Sequence, residues 1–241
     1  MSVLTENDVK KLFAQGEIQE KQSFYLDKET IITPSAKTFL LEKNITIQTK
    51  ENDLQEQNLE GYQTLFGAKL SEKPEFMTHL RGNTLVFKDH PRIAFRGAID
   101  SLESEIILAQ LLAQKENLTQ LIEDLEEIIK FIRKLLRCEV SGEVFGEFYL
   151  QSLSAADLRE HSHHPSKYYG MKHFLPTYKH GEIVAVLNKL RTKTREVEVV
   201  AYKAFKDEYG QVFREDIIQA LNRLSSLFWI MMFKYLTNKY K

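Results

Sequence analysis

The sequence predicts a mainly α protein, an antiparallel four- or five-helix bundle preceded by a small α+β appendage. Three observations carry this expectation. Four long stripes of apolar residues recur at spacings of three and four. Residues 1–70 lack such stripes and hold short β-branched runs instead. The chain of 241 residues, 43% hydrophobic and 28% charged, can bury the core that a bundle needs.

Within the appendage, Thr5 followed by Asp8 is a capping-box signal for a short helix through Phe13. Thr30 to Thr33 is apolar and β-branched enough for a strand. Thr33-Pro34 then sets a capping side chain before a proline suited to a first helical turn, predicting a helix through about Glu42. Ile45-Thr46-Ile47 predicts a second strand. Lys50 to Lys73 is polar and weakly patterned, as a linker or loop would be. The expected division is 1–70 for the appendage and linker, and 71–241 for the bundle. No convincing internal repeat is visible.

The first stripe of the bundle begins at Ile99, Leu102 and Ile106, and Lys115-Glu116-Asn117 separates it from the second, Leu121, Leu125, Ile128, Ile132 and Leu135. The third runs Ile183, Leu187, Leu190, Thr194, Val197, Ala201 and Ala204. The fourth runs Ile217, Leu221, Leu224, Phe228, Met231 and Tyr235. Between the second and third, Glu139 to Gly181 is rich in Gly, His and Tyr and predicts one short helix near Ala155 to Glu160. Long helices joined by loops pack as antiparallel neighbours.

Bulk charge narrows the function. Lys and Arg total 33 against 34 acidic residues, so no global field favours nucleic acid or an anionic membrane. The one cysteine, Cys138, excludes a disulfide framework and any C-x-x-C metal motif. No apolar run is long enough to span a bilayer, and the first twenty residues lack the apolar region of a signal peptide. A soluble, cytoplasmic protein is expected.

Three local constellations carry chemistry. In Arg191-Thr192-Lys193-Thr194-Arg195-Glu196-Val197-Glu198, residues Arg191, Arg195 and Glu198 share one helix face. Adjacent guanidinium groups repel unless an anion such as a polyphosphate accepts from both. Taken alone, these residues favour a solvated charged face with intrahelical pairing to Glu196 and Glu198. Asn222, in Leu221-Asn222-Arg223-Leu224-Ser225-Ser226, borders an apolar stripe; there an amide caps a neighbouring loop or reads a ligand's hydroxyls or purine edge. In the third, Thr78 to Asp89, Gly82-Asn83 marks a turn. Lys88 and Arg92 set positive charge before a helix start, where phosphates bind readily. Asp100, in the first turns of that helix, complements its dipole or pins an arginine across the bundle.

Taken together and in order, these stretches resemble the ATP:corrinoid adenosyltransferases. Thr78 to Asp89 resembles the nucleotide loop of the propanediol-utilisation type, and Pro91 to Ser104 its Arg-x-x-x-x-Gly-x-x-Asp-x-Leu helix. Arg191 to Glu198 is similar to its Arg-Thr-x-x-Arg-x-x-Glu helix. Ile32-Thr33-Pro34-Ser35-Ala36, His163-x-Pro165-x-x-Tyr168 and Ile218 to Ser226 are closer to the ethanolamine-utilisation type. The resemblance runs from about Thr30 to Phe233. It departs from the family at Ser71 to Met77, where the propanediol type carries Thr-Arg-Thr-Gly-Asp. Residues 50–77 also lack the His and Cys-Cys-x-x-Cys metal motif of some ethanolamine-type members, which implies no transition-metal site there.

The resemblance implies transfer of the 5′-deoxyadenosyl group of ATP to cob(I)alamin, giving adenosylcobalamin and triphosphate for coenzyme-B12-dependent ethanolamine breakdown. It implies an ion pair of Asp100 with Arg191 at the nucleotide, and places Arg195 and Asn222 on ATP with Lys88 near its phosphates. Thr78, Arg96 and Glu198 complete the nucleotide set, while His163 and Phe174 are the candidates at the corrinoid. Mg²⁺ is the expected metal, bridging phosphates. The aromatic segment Phe145, Phe148, Tyr168, Tyr169 and Phe174 offers candidates for a dry wall beneath the corrin. Expected partners are a cobalamin-reducing flavoprotein or reduced flavin and further copies of the chain, a trimer above all. The expected location is the cytoplasm or the interior of a bacterial microcompartment. The alternative is a non-catalytic corrinoid- or nucleotide-binding protein, or a microcompartment cargo protein.

Overall fold

The structure, a computed structural model, describes residues 2–15, 18, 23–27, 30–43, 45–50 and 61–240. They form two compact units, 1–60 and 61–241. The boundary precedes the expected one at 70/71, because part of the expected linker folds into a sheet. Residues 51–60 of that linker lie outside the described residues.

The first unit is a β-α-β segment that occurs twice. Strand β1 (Ser2–Leu4), helix α1 (Glu6–Ala14) and strand β2 (Ser23–Asp27) are followed by β3 (Thr30–Ile32), α2 (Pro34–Glu42) and β4 (Thr46–Lys50). The helices begin at 6 and 34 and end at 14 and 42, an offset of 28 at both ends. The strands pair between the segments, β1 parallel to β3 and β2 parallel to β4. Thr5 and Thr33 cap the two helices alike, each Oγ1 accepting from the N–H three residues on. Val9, Ile18, Ala36, Leu40 and Ile45 form the core. The duplication escaped the sequence analysis because residues 2–14 and 30–42 share only the threonine cap and one leucine, Leu12 against Leu40.

The second unit opens with a four-stranded sheet in the order β6-β5-β8-β7, from β5 (Tyr62–Thr64), β6 (Lys69–Leu70), β7 (Met77–Arg81) and β8 (Thr84–Phe87). Gly82, at φ +50°, makes the β7–β8 turn. Four long helices follow: α3 (Pro91–Lys115), α4 (Thr119–Ser141), α7 (Glu182–Phe205) and α8 (Glu215–Leu236). The ring pair Phe95–Phe205 and the ion pair Glu105–Lys189 show that α3 and α7 run antiparallel. Glu103–Arg133 and Glu198–Asn222 show the same for α3–α4 and α7–α8. All four expected stripes face the common core, where Ile99, Leu125, Leu187 and Phe228 are fully or almost fully buried. Each such side chain contributes roughly 1.5–3 kcal/mol by leaving water.

Between α4 and α7 lie a two-stranded hairpin (β9, Tyr149–Leu150; β10, Leu153–Ser154), α5 (Ala155–His163) and α6 (Pro165–Tyr169). The expected helix near Ala155 to Glu160 is α5, which starts at a Ser154–Asp157 capping box and runs on to His163. The chain then runs through Met171–Thr177 to a 3-10 turn at Tyr178–His180.

Candidate functional site

Helix α7 aims Arg191 and Arg195 into a cleft of about 270 Å³ that α8 lines with Ser225, Ser226 and Trp229. The C-terminal end of α5 adds Ser162 and His163, and the segment after α6 adds Phe174, Leu175 and Pro176. Spacings of four on α7 and of three and four on α8 put these side chains on facing stripes, as antiparallel packing requires.

The cleft is cationic. Burial, then repulsion from Arg195, holds the Arg191 guanidinium below its ordinary value. Its Nε donates to Asn188 Oδ1 at 3.1 Å, and its carbon lies 5.6 Å from the Trp229 ring centroid. No carboxylate lies within ion-pair distance of either arginine among the described residues. Such a pair of guanidinium groups offers several free N–H donors to an oxyanion. Farther along the α7–α8 groove, Asn222 Nδ2 donates to Glu198 Oε1 at 2.9 Å, leaving the Asn222 carbonyl as an acceptor.

The other wall is aromatic. Phe174 stacks on Trp229 with centroids 5.1 Å apart and meets Phe233 edge-on at 5.2 Å. His173 donates from Nε2 to the His163 carbonyl at 3.2 Å, tying this segment to α5. Of the other candidates for a dry wall, Phe145 and Phe148 pack against Phe131, and Tyr169 against Phe233. Tyr168 stacks on His161. None of these four lines the cleft; Phe174 does.

The predicted residues thus fall into two groups. Arg191, Arg195, His163 and Phe174 share the cleft, with Glu198 and Asn222 beside it. Thr78, Lys88, Arg96 and Asp100 do not line it. Thr78 sits in β7, and Lys88 is exposed just beyond β8. Arg96 is committed elsewhere: its Nε donates to Glu139 Oε2 at 2.7 Å, and its Nη atoms to the carbonyls of His79 and Leu80. It clamps the β7–β8 hairpin onto the bundle, so the expectation that it binds a cofactor gives way to a structural role within this chain. The expected Asp100–Arg191 ion pair is also absent. Asp100 is exposed on α3 and has no side-chain partner among the described residues, while Arg191 faces α8.

Trp229 is not among the residues that motif and spacing single out in the sequence. It is the sole tryptophan and stands two turns after Asn222, on the same face of α8. That spacing was a readable signal, but the apolar run around it reads as core.

Residues 69–235 match the family model described as cobalamin adenosyltransferase. The chain is 30% identical to the corrinoid adenosyltransferase EutT of Escherichia coli K12, over 95% of this chain and 91% of that protein. It is 29% identical to the corrinoid adenosyltransferase EutT of Salmonella typhimurium LT2, over 92% and 88%. Among solved structures, a variant of the PduO-type ATP:corrinoid adenosyltransferase from Lactobacillus reuteri, complexed with cobalamin and ATP, shares the fold. Its TM-score is 0.52 at 22% identity, covering 66% of this chain and 85% of that one.

Proposed function

The chain belongs to the cobalamin adenosyltransferase family, and from that premise we propose that it transfers the 5′-deoxyadenosyl group of ATP to cob(I)alamin in ethanolamine breakdown. The observation that carries this reading is the cleft that sets two guanidinium groups, without carboxylate partners among the described residues, beside the aromatic pair Phe174 and Trp229.

Cobalt(I) is itself the nucleophile, so no general base is required. Its electron pair forms the cobalt–carbon bond at the 5′ carbon while the carbon–oxygen bond to the α-phosphate breaks. Triphosphate departs with that bonding pair and the added negative charge. Fixed cations beside the leaving oxygens lower the barrier, because they are oriented before the charge develops. Arg191 and Arg195 supply them. Asn222, held by Glu198, is positioned to meet the nucleoside. Phe174, backed by Trp229, is the residue that excludes a lower ligand from the corrinoid, which makes reduction of cobalt(II) easier. His163, which lines the same cleft, is assigned to the corrinoid on this reading.

Mg²⁺ fits as a companion of the polyphosphate. It would neutralise part of the charge that the arginines meet on the departing triphosphate. The electrons for cobalt come from a flavoprotein or reduced flavin.

Thr78, Lys88 and Asp100 act through assembly. A trimer would bring the hairpin and α3 of one copy against the cleft of the next. That completes the phosphate site with Lys88 and gives the Asp100 carboxylate a guanidinium to pair with. Incompleteness of the cleft within one chain supports this. The chain works in the cytoplasm or inside a microcompartment.

The test is spectroscopic. The protein with ATP, Mg²⁺ and reduced cobalamin should yield adenosylcobalamin, and Arg191→Ala and Arg195→Ala should each cut kcat by about 10²–10³ with the fold intact. Full activity in both variants would remove the assignment. No product from the unmodified protein would favour a non-catalytic binding role.

A further inference from the structure

Trp229 touches both halves of the cleft. Its indole lies beneath the Arg191 guanidinium at 5.6 Å and stacks on Phe174 at 5.1 Å with an interplanar angle of 19°. His173 lies parallel to it at 6.0 Å and 13°, and Phe233 meets it edge-on at 5.0 Å. Arg191 has no carboxylate within ion-pair distance among the described residues, only the Asn188 amide oxygen and this ring face. Two arrangements therefore meet at one side chain: the resting direction of the guanidinium, shared with Asn188, and the seat of the segment carrying His173 and Phe174, shared with Phe233.

A cation over an indole is held by the ring's quadrupole, and that attraction depends on where the ring lies. Stacking fixes the ring in turn. When a polyphosphate draws Arg191 away from the indole, Trp229 loses a partner on one side while it still bears Phe174. Displacement of Phe174 by a corrinoid shifts the ring beneath Arg191. We propose that Trp229 is a positioning residue that couples the polyphosphate-gripping and corrinoid-facing sides of the cleft, so that each substrate alters the affinity for the other. The inference rests on the adenosyltransferase reading above. Coupling of this kind is reciprocal and commonly reaches about tenfold.

Cob(II)alamin makes the measurement possible, since it does not attack ATP and both ligands can be present together. Its dissociation constant is measured with and without ATP and Mg²⁺ in the full-length protein. The unmodified protein should show a ratio of about tenfold, Trp229→Phe a reduced one, and Trp229→Leu a ratio near one. A merely structural role would weaken both ligands without changing the ratio. The spectral change as cob(II)alamin loses its lower ligand should likewise respond to ATP in the unmodified protein and not in Trp229→Leu. Thermal unfolding checks the fold; should the leucine variant not fold, the ratio in Trp229→Phe decides. A ratio near one in the unmodified protein, or an unchanged ratio in the variants, overturns the coupling. If the unmodified protein makes adenosylcobalamin with no such coupling, only this inference falls. If it makes none from cob(I)alamin, the functional reading fails and this one with it.

Discussion

Removing the Glu139 carboxylate should be among the costliest single changes in the bundle. Its side chain is 0% exposed and takes Arg92 Nε at 2.5 Å and Arg96 Nε at 2.7 Å, from arginines only 24% and 17% exposed. The Glu139 main-chain carbonyl accepts from Arg92 as well, and Arg96 continues to the carbonyls of His79 and Leu80. One carboxylate thus joins α3, α4 and the β7–β8 hairpin. Glu139→Ala leaves two half-buried cations facing a void, a loss of about 3–5 kcal/mol. For a chain of this size each kcal/mol moves the midpoint by roughly 2–4 °C, so a fall of about 6–20 °C is expected by calorimetry. Glu139→Gln keeps the volume and one acceptor, and should lose less, about 1.5–3 kcal/mol. Arg96→Ala combined with Glu139→Ala should cost clearly less than the two singles added, because they share one interaction. A shift below about 2 °C for Glu139→Ala, with additive combination, would refute the clamp.

Burial holds the His161 imidazole below its ordinary value; the unfolded chain, at about 6.5, then binds more protons in the window beneath. Its contribution to stability is therefore present above that pH and lost as pH falls through the folded value. His161→Phe, which keeps a ring against Tyr168, should flatten the decline of the thermal midpoint between pH 7 and 5, leaving the part due to His90, whose pKa burial likewise lowers. An unchanged slope would count against it. Gly142 caps α4 at φ +81°, so Gly142→Ala should cost about 1–2 kcal/mol in denaturant unfolding, and no loss would contradict the left-handed cap. Removing residues 1–60 should leave adenosylation intact, because every site residue named above lies in the other unit. Loss of activity from a folded bundle would assign the first unit to the site.

The four long helices were legible because burial of one face imposes a period that survives almost any choice of outward residue. Leu121 to Leu135 reads as α4 without any knowledge of what it meets. Caps were legible for a similar reason: Thr5–Asp8 and Thr33-Pro34 satisfy orphan N–H groups locally. The arginines of α7 and Asn222 could be singled out because their neighbours lie within two turns. The β-α-β duplication could not, since backbone pairing between distant strands leaves little mark on side-chain identity.

Which segments form helices, and which charged residues share a face, can be read from the residue order, since both depend on spacing along one element. The tertiary structure decided what those residues do. Arg96 and Arg191 are both arginines on amphipathic helices, yet a buried carboxylate from α4 claims the first. A tryptophan from α8 lies under the second, whose Nε donates to Asn188 and whose terminal nitrogens meet no acceptor among the described residues. That difference depends on which helices pack together, and packing brings together side chains far apart in the chain, a relation that spacing along one helix does not encode.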